Sequence, residues 1–153
     1  RNGYTSHNSG CCGLQIHVDR QFFGAQEDSC IAKIIFLMMK YKDQFMKFSR
    51  RKESQLEWCE MFDSDSDIPL LVKTGHDGSR YMALNLTNSN TLEFRLWRGT
   101  LNYASFIATL KFTDRICNLV KETGIIQLNR MSWEDILGDD DDIKAYWQTR
   151  LNR

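Results

Sequence analysis

The sequence predicts an α+β fold: a small antiparallel or mixed sheet with helices packed on one of its faces. Three observations carry that prediction. Three short stretches alternate with period two, each with an aliphatic side and a polar side. Around them run longer segments whose apolar residues recur at helical spacing, enough to cover the aliphatic side. The chain has 153 residues, is 42% hydrophobic and holds a single proline, which suits one buried core and argues against a disordered chain.

The first strand is predicted over "CGLQIHVD", Cys12 to Asp19, with Leu14, Ile16 and Val18 on one face and Gln15, His17 and Asp19 on the other. A helix follows from about Glu27 to Phe48. Asp28 or Ser29 is positioned to cap it, and Ile31, Ile34, Ile35, Met38, Met39 and Phe45 form its apolar face. "SRRKESQLEWCEMF" reads as a short surface helix, and "DSDSDIP" and "TGHDGS" as loops. A hairpin comes next: "RYMALNL" (Arg80–Leu86) and "TLEFRLWR" (Thr91–Arg98) flank the polar connection Thr87 to Asn90. A second long helix is predicted from about Asn102 to Glu122, with Tyr103, Phe106, Ile107, Leu110, Cys117 and Val120 facing the core and Gly124 as its stop. In the tail, Ser132 and Asp135 form a capping box, and Ile143, Tyr146, Trp147 and Leu151 mark a last amphipathic helix.

Composition excludes several function classes. Twenty basic and twenty acidic residues cancel, so no global field draws nucleic acid or an anionic membrane. Cys11, Cys12, Cys30, Cys59 and Cys117 form no C-x-x-C pair, which argues against zinc and a disulfide framework and for reduced thiols in a cytoplasm. The most apolar run, "CIAKIIFLMMKY", contains Lys33 and is too short to span a bilayer.

If the three strands are neighbours, one face of the sheet is aliphatic and the other carries Gln15, His17, Asp19, Tyr81, Asn85, Glu93, Arg95 and Trp97. Glu93 and Arg95 stand about 7 Å apart along one strand. On a solvated face such a pair is a plain salt bridge. With apolar neighbours, Trp97 on the same side and Arg98 next in line, it also suits a metal–phosphate site: the carboxylate is a hard ligand for Mg²⁺ and the guanidinium forks bind phosphoryl oxygens. The Gln15 carbonyl is a weak ligand for Mg²⁺, and His17 is a hydrogen-bond donor to a phosphate. Arg50 and Arg51 end the first long helix, either as a solvated terminus favoured by the macrodipole or as anion clamps. The run Asp139 to Asp142 caps the last helix rather than holding a cation, and His7 and His76 read as surface residues.

"SGCCGLQIHVDR" followed by "LEFRLWRGTLNYASFIATLKFTDRIC" resembles the amidoligases of the glutamine synthetase and glutamate–cysteine ligase superfamily. That family has a Gly-x-His-x-His strand, an apolar helix, and a Glu-x-Arg strand running into a Gly-Thr-Leu turn and a helix. "FSRR" and "RYMALNL" are similar to its intervening segments, so the likeness covers most of residues 8 to 122. The resemblance implies a glutamine synthetase-like catalytic domain, of which residues 1–124 are the carboxy-terminal part and 125–153 a helical extension packed on it. It implies ATP- and Mg²⁺-dependent joining of a small-molecule or peptide carboxylate to an amine through an acyl phosphate. Glu93 becomes a metal ligand, Arg95 stabilises the transferred phosphoryl group, and His17 falls on the second family histidine, near the nucleotide phosphates. Arg98 and Arg50 are further candidates for the ATP phosphates. Gln15 stands where the first family histidine, a metal ligand, is expected. A homo-oligomer is implied as well, with no nucleic acid beyond ATP and no membrane partner.

The family's metal cluster also needs a Glu-x-Glu strand that nothing before Gly13 supplies. The 153 residues are therefore expected to be inactive alone and to belong to a longer ligase. Two competitors remain at this level. One is a silent nucleotide- or protein-binding module of the same fold; the other is a metal-dependent phosphoesterase using His17, Asp19 and Glu93.

Overall fold

A computed structural model describes residues 13–75 and 80–152. It is a mixed α+β structure, mostly helical, with a small three-stranded antiparallel sheet. The strands are β1 (Ile16–Asp19), β2 (Leu84–Asn85) and β3 (Thr91–Phe94), in the order β1-β3-β2, so β3 is central. His17 lies opposite Glu93 on one side of it, and Asn85 lies opposite Glu93 on the other. All three strands are shorter than their alternating sequences, and Cys11, Cys12, His7 and His76 lie outside the described residues.

The strand predicted as far as Arg98 ends at Phe94 because its register slips. From the Ile16–Phe94 pair to the Gly13–Arg98 bridge, the first segment advances three residues while the second advances four. One extra residue on the β3 side makes a bulge, which breaks the in–out alternation. Trp97 accordingly turns away from the polar face on which alternation placed it and is fully buried, stacked on Phe94 at 6.5 Å. Arg51 holds the bulge from outside, donating to the carbonyls of Leu96 (2.8 Å), Arg95 (3.1 Å) and Trp97 (3.3 Å). Gly13 lets this guanidinium come close, since a Cβ there would stand 2.9 Å from Arg51 Nη2.

The first long helix is two helices, α1 (Glu27–Lys40) and α2 (Lys42–Ser49), broken at Tyr41 (φ −114°, ψ 35°). No Gly or Pro marks the break. Instead the Tyr41 hydroxyl donates to the Met131 carbonyl and its ring packs on Trp133. Asp28 and Ser29 do not cap α1; they sit in its first turn, behind a 3-10 segment, Arg20–Gln26. A helix unforeseen in the sequence, α3 (Ile68–Thr74), packs on α1. The Asp67 side chain accepts from the Leu70 amide at 3.0 Å, and Gly75 closes the helix with φ 61°.

Helix α4 (Tyr103–Glu122) begins at its Asn102 cap, where the Asn102 side chain accepts from the Ser105 amide. Its buried stripe is Ala108, Phe112, Ile116, Cys117, Leu119 and Val120; Tyr103 and Phe106, expected in the core, are exposed. The tail forms α5 (Ile125–Arg130), α6 (Trp133–Leu137) and α7 (Asp141–Leu151). The Ser132–Asp135 capping box is present, and Asp140 caps α7 through the amides of Asp142 and Ile143. Trp133, Tyr146 and Trp147 share one core with Phe45, Phe48, Trp97 and Phe112, while Leu151 is exposed. Phe48 is at the middle of that cluster, 4.4 Å from the Phe112 ring and 4.8 Å from Tyr146. Among the described residues, no helix is long and apolar enough to cross a membrane.

Cys30, Cys59 and Cys117 are buried free thiols. Burial pushes Cys117 up from about 9 to about 12, with Asp114 and Cys30 adding to the shift. Deep protonated thiols are poor nucleophiles. Two outcomes follow. Truncating Phe48 to Ala costs about 3–5 kcal/mol in urea unfolding, whereas Tyr103→Ala stays within about 0.5 kcal/mol. Because the folded Cys117 pKa is raised, its contribution is intact below about pH 9 and is lost as pH rises towards about 12. The urea midpoint falls across that window, and Cys117→Ala shows a smaller fall.

Candidate functional site

The open face of the sheet collects the residues that alternation assigned to it, apart from Trp97. Glu93 is central because β3 is central. Its side chain is only 8% exposed, and that of Arg95, two residues on, is 16% exposed. Arg95 Nη1 donates to Glu93 Oε1 at 2.8 Å. From β2, Asn85 Nδ2 donates to Glu93 Oε2 at 2.7 Å, while Asn85 Oδ1 accepts from the Thr87 amide. Just before β1, the Gln15 amide is assigned the orientation that satisfies both neighbours, its nitrogen donating to Glu93 Oε1 at 2.8 Å and its oxygen accepting from Arg95 Nη1 at 3.2 Å.

His17 completes the group. Its Nε2 is 4.0 Å from Glu93 Oε1, and its Nδ1 is 3.1 Å from Thr91 Oγ1, which fixes the ring. With a side chain 48% exposed, His17 faces solvent as the buried pair cannot. The Arg95 guanidinium lies 5.9 Å from the Tyr81 ring, and Tyr81 is flanked by Arg80 and by Trp58, 5.4 Å away edge-on. A buried carboxylate carrying three protein donors orients its arginine rather than merely neutralising it.

The metal expectation meets this arrangement directly. Both Glu93 oxygens are engaged, and the Gln15 carbonyl points at Arg95. Among the described residues no three of His, Cys, Asp and Glu lie together as a metal group. The residues present do not fit a magnesium site by themselves. Asp19 does not join His17 and Glu93 in one; its side chain accepts from the Gln21 amide at 2.8 Å and starts the 3-10 segment. The phosphoesterase trio is therefore not assembled.

Arg50 and Arg98 are near each other and apart from Glu93. Arg50 ends α2 in the left-handed region (φ 66°), half-buried, and donates through Nη2 to the Arg98 carbonyl. Arg98 Nη1 reaches back to the Arg50 carbonyl at 3.4 Å. They line a cleft of about 670 Å³ that includes none of Gln15, His17, Asn85, Glu93 or Arg95. Lys47 and Arg150 also line it, residues on which sequence reasoning placed no weight. Lys47 is one turn before Arg50 and was within reach of helical spacing; Arg150 comes from α7 and carries no sequence signal. Burial lowers the Arg50 pKa, with Tyr146 opposing and Arg150 and Arg98 reinforcing the shift. Burial likewise lowers Arg51, with Cys59 opposing and Arg95 and Arg98 reinforcing the shift.

Comparison with family models, with curated proteins and with solved structures yields no match. The site therefore stands on its own geometry. Replacing Glu93 with Leu leaves the Arg95 guanidinium half-buried and without its carboxylate, at a cost of about 3–5 kcal/mol. Urea unfolding measures that loss, and Glu93→Leu/Arg95→Met restores most of it if the pair is the cause.

Proposed function

We propose that this chain is the carboxy-terminal part of an ATP-dependent carboxylate–amine ligase with a glutamine synthetase-like fold, and that its open sheet face handles the transferred phosphoryl group. The observation that supports this reading is the meeting of Gln15, His17 and Arg95 at a single oxygen of Glu93. The Gln-x-His and Glu-x-Arg motifs, far apart in sequence, contribute to one patch.

In such a reaction a carboxylate oxygen attacks the γ-phosphorus of ATP and ADP leaves. An amine then attacks the acyl carbon, releases phosphate and gives up a proton. Here Arg95 stabilises charge on the phosphoryl oxygens, as a guanidinium fork does. Glu93 and Tyr81 hold that fork, so Glu93 acts as a positioning residue. His17, steadied by Thr91, donates from Nε2 to a phosphate oxygen. No step is assigned to magnesium on these residues. A catalytically silent nucleotide-binding module is the second reading, favoured by Gln15 standing where the family's metal-binding histidine is expected.

The test uses the full open reading frame with Mg·ATP, a panel of carboxylates and hydroxylamine, following ADP and hydroxamate. Carboxylate-dependent hydroxamate is expected, and Arg95→Lys lowers it about a hundredfold or more. Glu93→Gln lowers it as well, and both variants retain a cooperative unfolding transition. ATP binding without hydroxamate from any carboxylate favours the silent module, and no ATP binding at all sinks both readings.

A further inference from the structure

The cleft bearing Arg50 and Arg98 has a composition unlike the chain as a whole. The protein has no net charge, yet Lys47, Arg50, Arg51, Lys52, Arg98 and Arg150 converge on this one cleft. Among the described residues, Asp142 is its sole acidic lining residue, and Asp142 already accepts from Lys111 at 2.5 Å. Among the described residues, no carboxylate lies within ion-pairing distance of Lys47, Arg50, Arg51, Lys52 or Arg150. Cations held this close repel one another, and an anion relieves that repulsion.

The guanidiniums are also fixed in place. Arg50 and Arg98 each donate to the other's carbonyl, and Arg150 Nε donates to the Lys47 carbonyl at 3.1 Å. Guanidiniums anchored on one edge present the remaining N–H groups at low entropic cost. Asn102, Ala104 and Ser105 bring the amino terminus of the twenty-residue helix α4 to the same cleft, adding the positive end of its dipole. The volume of about 670 Å³ suits a small molecule rather than an extended polymer track.

We propose that the cleft between α2, α7 and the amino terminus of α4 binds a phosphorylated small molecule carrying at least two negative charges, independently of the open sheet face. The site is distinct from the Glu93–Arg95 patch, and it gives Arg50 and Arg98, which the ligase resemblance offers to the ATP phosphates, a ligand that does not require ligase activity.

Calorimetric titration of the full chain with inorganic pyrophosphate at low salt tests it. One saturable site is expected. Arg150→Gln and Lys47→Gln, both at helix ends near solvent, each weaken it about tenfold or more with an unchanged thermal unfolding midpoint. Arg95→Lys leaves it unaltered. The proposal is overturned if pyrophosphate does not saturate, if the two cleft variants bind like the parent, or if Arg95→Lys weakens binding. Tighter binding of an eight-nucleotide single strand than of pyrophosphate overturns it too, in favour of a nucleic-acid surface.

Discussion

The one-residue bulge after Phe94 is the constraint on which the rest of the structure depends. Without it, continued alternation keeps Trp97 on the face of Glu93 and Arg95, and the core loses its largest fully buried side chain. With it, Glu93 and Arg95 stay outward while Leu96 and Trp97 both go in. The carbonyls around the bulge need donors; Arg51 supplies three bonds from one guanidinium, and the Leu14 amide also donates to the Trp97 carbonyl at 3.0 Å. That explains why Arg51, adjacent to Arg50 in sequence, does a different job. Both line the cleft, but Arg51 commits its guanidinium to the sheet.

Charge is handled in two contrasting ways. On the open face, Glu93 and Arg95 are largely buried but mutually paired, with Asn85 and Gln15 completing the carboxylate's hydrogen bonds. Burying a charge is tolerable only on those terms. Lys33 is a second variant of the same rule. Among the described residues it has no acidic partner, and its ammonium donates to the Val120 and Thr123 carbonyls at the end of α4, where the helix dipole is negative. The basic cleft differs: among the described residues, no carboxylate lies within ion-pairing distance of Lys47, Arg50, Arg51, Lys52 or Arg150.

The two-sided sheet was legible in sequence because a strand's side-chain period is two, and Gln15, His17, Asn85, Glu93 and Arg95 were all placed on the correct face. Helix caps were equally readable where a side chain meets a nearby amide, as at Ser132 and Asp140. Asp67, Pro69 and Gly75 gave the same local signals for α3, but their polar surroundings obscured them. The break at Tyr41 had no such signal, because its cause lies some ninety residues away at Met131. Likewise Tyr103 and Phe106 fit a helical stripe, yet the stripe that is buried begins a turn later, at Ala108, where α4 meets its neighbours.

By itself, then, the sequence determined which residues share a strand face, where most helices begin, and that a carboxylate and a guanidinium would stand side by side. These are local matters, set by backbone geometry over a few residues. Only the tertiary structure decided that Glu93 would have both oxygens filled by Gln15, Asn85 and Arg95, that Trp97 would leave that face, and that Lys47, Arg50, Arg98 and Arg150 would share one cleft. The physical reason is common to all three. Hydrogen bonding and packing between segments distant in the chain settle register and position, and neither leaves a periodic trace in the sequence.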